Sequence, residues 1–405
     1  MKRALACCLG AAACVAICFA GPSPDRAYVD AVVDGLVKTG VLSQQQADEI
    51  KSGAQAAADA ASKPAPTPAV VPPKKKAWYD SMKVGGYVQG RYQYYDGFPN
   101  ADHTKTSNEF LLRRARTQFT FDPTDRAEAY LELDLAQGTT AVRDAWIQYG
   151  LSRGNSWRTR MGQQKVNFGM ETPQADSVRL PLEANYVAQY LVPNNRDTGL
   201  VLFYTRPEDQ PLFAAGRASD WGTGDFGDVS VGVWNGQGLD SEANGEKTVT
   251  VRAAKPFALG ARHQYAEVGA SYLRGTYFSA KAARNFQDRM LGVHAYLSPH
   301  PIGFQTEVYK GQTEGADIDG WYGMGLLRVG QGGVLFGRYE ALTGPKKGGG
   351  LGNRADRHRT AMGFAEQMDD RTRLTLEYDF ERVEGGGTTL GFDNDQLGLQ
   401  LQLSY

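Results

Sequence analysis

The stretch QLGLQLQLSY, residues 396–405, decides the fold. Every second residue is apolar (Leu397, Leu399, Leu401, Leu403, Tyr405), and the alternates are Gln396, Gly398, Gln400, Gln402 and Ser404. Successive side chains of a β-strand point to opposite faces, so this is a strand with one apolar and one polar face. A strand of a soluble sandwich can look the same. What separates the two is repetition. Similar segments occur near 84–95, 109–121, 126–135, 142–150, 157–166, 199–206, 228–235, 247–257, 262–274, 288–298, 301–310, 320–329, 333–341, 357–367 and 371–382, sixteen with the last. Most have a length that lets a tilted strand cross roughly 25–30 Å of hydrocarbon.

The connections alternate in character. Short ones lie at 122–125, 152–156, 258–261, 299–300, 330–332 and 368–370. Longer ones, rich in Gly, Asn and Asp, lie at 96–108, 167–198, 236–246, 275–287, 311–319, 342–356 and 383–393. Short turns on one side and long loops on the other fit a bacterial outer-membrane barrel. Residues 136–141 are short for an outside loop, and 207–227 are long for a turn and have room for an irregular segment. Lipid offers no partner to an unpaired backbone N–H, so strands can span it only as a closed barrel. The expectation is an all-β fold, a 16-stranded antiparallel transmembrane β-barrel, with a short N-terminal helical or coiled-coil periplasmic segment. A chain that stops on an aromatic residue after such a strand also resembles the signal read by barrel-assembly machinery.

The N-terminus divides differently. Residues 1–20 read as a signal peptide: a basic start (Lys2, Arg3), an apolar run, and small residues at Cys18 and Ala20 before a cut at Gly21. All four cysteines (Cys7, Cys8, Cys14, Cys18) fall inside it, so the mature chain would have no disulfide and no thiolate metal site. Acylation at Cys14 or Cys18 is the alternative. Residues 21–62 form the helical segment. Apolar residues Val29, Val32, Val33 and Leu36 share a face, Gly40 breaks the pattern, and Ser43 caps a second helix with Gln46 at its third position. Residues 63–77 are a Pro- and Lys-rich linker, and 78–405 the barrel.

Taking each apolar set as the lipid face assigns the lumen. Arg91 comes inside with Gln89 and Gln93, Arg114 and Arg116 on the next strand, then Glu128, Glu132 and Asp134 on the third. Arg160 shares a face with Arg158. Arg252 and, later, Arg373, Glu377 and Asp379 also point inward. Arg91, Arg114, Arg116, Arg160, Arg252 and Arg373 are thus the pore-lining anion-selectivity candidates, and the five acids their counter-charges. A plain alternative is that Arg114 and Arg116 only neutralise Glu132 and Asp134. The longest loop, 167–198, carries Glu171, Asp176, Arg179 and Glu183 and is the candidate constriction, with Leu180, Leu182, Tyr186, Tyr190 and Leu191 to pack it on the wall.

These segments resemble the phosphate-selective porin O and P family. The resemblance rests on FLLRRAR (110–116), YLELD (130–134), DAWI (144–147), RMGQQKVNFG (160–169), RDTG (196–199) and VWNG (233–236). It implies a homotrimer of 16-stranded barrels whose arginines and lysines bind phosphate or polyphosphate in the pore, with outer-membrane lipid around it. The candidate constriction differs in being acidic, with three acids against Arg179 over 171–183.

Composition narrows the rivals. Lys and Arg total 44 and Asp and Glu 45, so no basic excess suggests a nucleic-acid partner. The histidines (His103, His263, His294, His300, His358) show no nucleophile, base or metal spacing, so no catalytic residue, metal or cofactor is expected. A structural barrel tethered through 21–76 and a soluble all-β protein remain as alternatives.

Overall fold

The computed structural model describes residues 26–61, 78–96, 108–192, 195–218, 224–260, 264–345, 347, 354–385 and 392–405. The signal-peptide reading of 1–20, the linker 63–77 and the loop tips near 97–107, 348–353 and 386–391 lie outside them. The chain falls into two compact units, Met1–Lys75 and Lys76–Tyr405.

The described part of the first unit is a helical hairpin, α1 (Arg26–Lys38) and α2 (Gln44–Ala61). Val33 and Ala47 are buried in it, and Lys51 bridges to Asp34 at 2.7 Å. Gly40, at φ +71°, takes the left-handed turn that ends α1. At the start of α2, Ser43 Oγ accepts from the Gln46 N–H at 3.3 Å, and Gln46 Oε1 accepts from the Ser43 N–H at 3.0 Å. This is a reciprocal cap.

The second unit is a closed barrel in which each strand pairs antiparallel with its sequence neighbours and β1 pairs with β16. The strands are β1 (Met82–Asp96), β2 (Asn108–Phe121), β3 (Ala127–Asp134), β4 (Ala141–Gly150), β5 (Trp157–Lys165), β6 (Arg196–Tyr204), β7 (Val229–Trp234) and β8 (Thr248–Leu259). They continue as β9 (Gln264–Ser279), β10 (Arg284–Leu297), β11 (Ile302–Thr313), β12 (Ala316–Val329), β13 (Gly333–Pro345), β14 (Arg354–Gln367), β15 (Thr372–Gly385) and β16 (Phe392–Ser404). Outward apolar side chains such as Val88, Val249, Val251, Leu376, Leu399 and Leu401 stand exposed, as a lipid-facing belt requires. The closing seam is tight. Gly86 and Tyr405 exchange both backbone hydrogen bonds (3.1 and 3.0 Å), and Tyr405 Oη donates to the Arg116 carbonyl at 3.2 Å. A Cβ on Gly86 would stand 2.6 Å from that hydroxyl.

Three expectations change. Residues 275–287 and 311–319 are not long loops. β9 and β10 pair as far as Ser279 and Arg284, and β11 and β12 as far as Thr313 and Ala316. Glu314 and Gly315 close the second hairpin with φ of +51° and +78°. Such a two-residue turn matches strand twist. The polar composition that suggested loops belongs to strand ends where both faces can be polar. Residues 207–227 hold a helix, while 136–141 hold a single 3₁₀ turn (Ala136–Gly138). Third, the inward face is not polar all round. On β12 the inward residues include Ile318, Tyr322, Met324 and Leu326. They meet the loop between β5 and β6, which enters the barrel and carries α3 (Tyr186–Leu191); α4 (Gln210–Ala218) lies in the β6–β7 connection.

Candidate pore and constriction

Two β-bulges shape the β1–β5 wall. In the β1–β2 register Gln89 faces Arg114 and Gly90 faces Leu112, leaving Arg113 unpaired. In the β3–β4 register Glu132 faces Asp144 and Leu133 faces Val142, leaving Arg143 unpaired. A bulge breaks alternation and re-aims a side chain. Both extra arginines turn inward. Arg113 donates to the two Glu183 carboxylate oxygens at 2.8 and 2.9 Å, and Arg143 to Asp134 at 3.4 Å. Strict alternation misses both. The signal was available in adjacent charges, Arg113–Arg114 and Arg143–Asp144, one of which would otherwise meet lipid.

Around them stand the expected residues. Arg116 pairs with Glu132 (2.9 Å), Asp134 (3.3 Å) and Asp176 (2.8 Å). Arg114 bonds Gln89 (3.0 Å) and Glu183 (3.1 Å), and Arg91 bonds Glu183 (2.8 Å) and Gln400 (2.8 Å). Arg196, at the start of β6, joins Asp144 (2.7 Å) and Glu132 (3.1 Å).

The β5–β6 loop packs on the opposite wall. Phe168, Val187, Leu191 and Val192 join Trp234, Met290, Ile318 and Leu342 in one apolar cluster, and Met170 and Leu180 join Tyr296, Tyr322 and Phe336 in another. Gly320 permits the contact, since a Cβ there would stand 2.6 Å from Val187. An irregular loop inside a barrel has no ladder to satisfy its backbone. Wall side chains do so here. Glu307 accepts from the Met170 and Glu171 amides (2.8 Å each), Glu377 from Leu182 (2.9 Å) and Glu340 from Tyr186 (2.5 Å). Arg252 donates to the Gly169 carbonyl (3.0 Å), Arg338 to Glu183 (3.2 Å), Arg359 to Ala184 (2.7 Å) and Arg373 to Arg179 (3.2 Å).

This sorts the sequence candidates. Arg252 and Arg373 lie behind the loop; Arg252 is fully covered and paired with Glu267 at 2.6 Å. Glu377 is behind it too, and Asp379 is buried. Glu171 braces the loop internally, against Arg179 (3.0 Å) and the Asn185 amide (2.9 Å). Glu128, Arg160, Asp176, Arg179 and Glu183 border open space together with Arg114, Arg116 and Glu132.

That space is two cavities along the β2–β5 wall. The one toward the long loops, about 350 Å³, is lined by Arg113, Arg114, Arg116, Arg143, Arg179 and Arg196 with Asp176 and Glu183. The one toward the short turns, about 610 Å³, holds Arg158, Arg160, Lys165, Glu128, Glu132 and Asp144. Arg116 and Asp176 line both. In the second cavity, among the described residues, the Arg160 guanidinium donates to the Gln148 side-chain oxygen alone (3.2 and 2.8 Å) and stands 4.0 Å from the Trp146 ring. Burial by itself would raise the two loop carboxylates. For Asp176 the cations Arg114, Arg116, Arg179 and Lys165 outweigh it, and for Glu183 Arg114, Arg113 and Arg91 do. Both are held well below the usual carboxylate range.

His294 is buried against Glu267 (3.1 Å), and His358 bonds Tyr339 (3.0 Å). Among the described residues no group of three or more metal-binding side chains occurs.

A family model described as phosphate-selective porin O and P matches residues 82–309. No curated protein matches the chain. Similar solved structures include the outer membrane channel DcaP of Acinetobacter baumannii (TM-score 0.55, 13% identity, 80% of this chain and 97% of that one). The trimer form of OmpT from Vibrio cholerae gives 0.53 and 10%, over 80% and 99%. The anion-selective porin from Comamonas acidovorans gives 0.50 and 11%, over 80% and 99%. At these identities the likeness concerns the fold.

Proposed function

The chain belongs to the phosphate-selective porin O and P family and is an outer-membrane porin; from that premise we propose that it passes small hydrophilic anions, phosphate or polyphosphate among them. The observation that carries this reading is the cavity of about 350 Å³, where six arginines face two carboxylates. A dense arginine wall in a confined aqueous path lowers the energy of an anion there and raises that of a cation. The second cavity continues the path with Arg160 and Lys165, for which no ion pair with a carboxylate occurs among the described residues. Passage is passive and uses no catalytic residue, cofactor or metal.

The barrel works as a homotrimer in lipid on this reading, with short turns and the 21–62 helices on the periplasmic side. The trimer form of OmpT supports trimeric assembly as a property of this fold. Planar-bilayer recording of the refolded protein tests the function. Reversal potential in a KCl gradient should show anion preference, and phosphate added in steps should reduce the chloride current.

One observation favours a second reading. Arg116 is already matched by Glu132, Asp134 and Asp176, and Arg196 by Glu132 and Asp144. A wall balanced in this way suits a general porin without phosphate specificity. Weak selectivity with no phosphate block would favour it. No conductance would favour a structural barrel tethered through its N-terminal segment.

A further inference from the structure

The two cavities meet at an ion pair. The Asp176 carboxylate receives three guanidinium groups: Arg116 Nη1 at 2.8 Å and Arg114 Nε at 3.6 Å on one oxygen, and Arg179 Nη1 at 2.7 Å on the other. All four side chains are at least nine-tenths buried. Arg114 and Arg116 belong to the wall strand β2, whereas Asp176 and Arg179 come from the inserted loop. The carboxylate therefore ties the loop to the wall where a solute must pass.

Asp176 shares these arginines with other wall and loop groups: Arg116 also holds Glu132 and Asp134, Arg114 holds Gln89 and Glu183, and Arg179 holds Glu171. A carboxylate offers two oxygens in a plane, and three guanidiniums offer donors from several directions. Among the described residues, the buried Arg179 Nη2 has no hydrogen-bond partner. A tetrahedral oxyanion brings four oxygens and, as phosphate near neutral pH, more charge, so it matches a three-arginine pocket better than a carboxylate does.

Resting on the anion-channel reading, we infer that Asp176 is a tethered stand-in for the solute: it occupies an oxyanion site made by Arg114, Arg116 and Arg179, and inorganic phosphate must displace it to bind there and pass. Displacement frees Asp176 to swing with its loop segment, and Arg179 moves from holding the carboxylate to holding the solute. The site is specific because only an anion able to outcompete a tethered carboxylate opens it. Chloride, with one charge and no directional acceptors, competes poorly.

The apparent affinity for phosphate is then weakened by the fraction of time Asp176 holds the site. Asp176→Asn removes the competitor. In planar bilayers with the full-length refolded protein, the half-blocking concentration of inorganic phosphate should fall by about tenfold or more. Asp176→Glu should stay near the native value. Glu128→Gln removes the same charge from the second cavity without touching the three arginines, and screening should keep its effect under about threefold. Should Asp176→Asn not give a heat-modifiable barrel, Asp176→Ser serves as the second variant. An unchanged half-blocking concentration in a folded Asn or Ser variant overturns the inference, and so does a shift matched by Glu128→Gln. Cation preference of the native channel would instead defeat the anion reading, and it is read from the reversal potential, before any substitution.

Discussion

Arg116 sits where the most interactions meet. It touches two acids of β3, the loop carboxylate and, through the Tyr405 hydroxyl on its carbonyl, the closing seam. Arg116→Glu should reverse or flatten the ion selectivity, measured as reversal potential in a KCl gradient. It would also set four carboxylates together, and breaking a buried pair costs about 3–5 kcal/mol, so fewer heat-modifiable barrels should form. Arg113→Gln is a milder test. It deletes the contacts of a bulge residue to Glu183 and should lower the anion preference while leaving barrel stability nearly unchanged. pH provides a third test. Because Asp176 and Glu183 have depressed folded-state values, their pairing stabilises the loop above the ordinary carboxylate range, and that contribution is lost only as pH falls through the lowered values. Selectivity should therefore stay nearly flat from about pH 5 down to about pH 3.5, across the ordinary carboxylate value of about 4. A sigmoidal change inside that window would show these carboxylates titrating normally.

At the scale of elements, the inserted loop is held less by regular structure than by the wall. Among the described residues its α-helix, α3, has six residues and an Asn185 cap that accepts from the Ala188 N–H at 2.9 Å. Glu307 is the strongest clamp, taking two consecutive amides and the Tyr322 hydroxyl, each at 2.8 Å. Glu307→Ala would leave two buried N–H groups unsatisfied at about 1–3 kcal/mol each. Open-channel noise and mean conductance should rise as the loop loosens, and the melting temperature should drop. A quiet channel of native conductance would mean that the apolar clusters alone hold the loop. This clamp was not legible beforehand. Glu307, Glu340 and Glu377 look like ordinary lumen acids, and only the loop's path past them gives them amides to bind. The apolar residues on the inward faces of β9–β14, such as Ile318, Tyr322 and Met324, have the same cause: a loop, not water, covers them.

For the whole molecule, the outward belt and the closing seam make one statement about environment. Leu399 on β16 is flanked by Leu376 and Tyr92 and faces away from the lumen. Leu399→Arg should cost about 2–4 kcal/mol when folding is measured in lipid vesicles, as expected for a charge near the bilayer midplane. A negligible cost would place that face outside hydrocarbon. What the sequence by itself determined was the class and the count: period-two patterning marked sixteen strands within a few residues of their ends, because each strand separately meets lipid on one side. It also put Arg91, Arg114, Arg116 and Glu132 on the inner face, since alternation from neighbouring leucines and valines leaves them no other place. Tertiary structure decided which inner charges meet open space. Two bulges, set by pairing across strands, brought Arg113 and Arg143 inward against the alternation. The loop covered Arg252, Arg373 and Glu377 and left Arg116 and Asp176 between the cavities. Facing inward is a local property of a strand, whereas being accessible depends on what a distant segment covers, and no pattern along the chain encodes that contact.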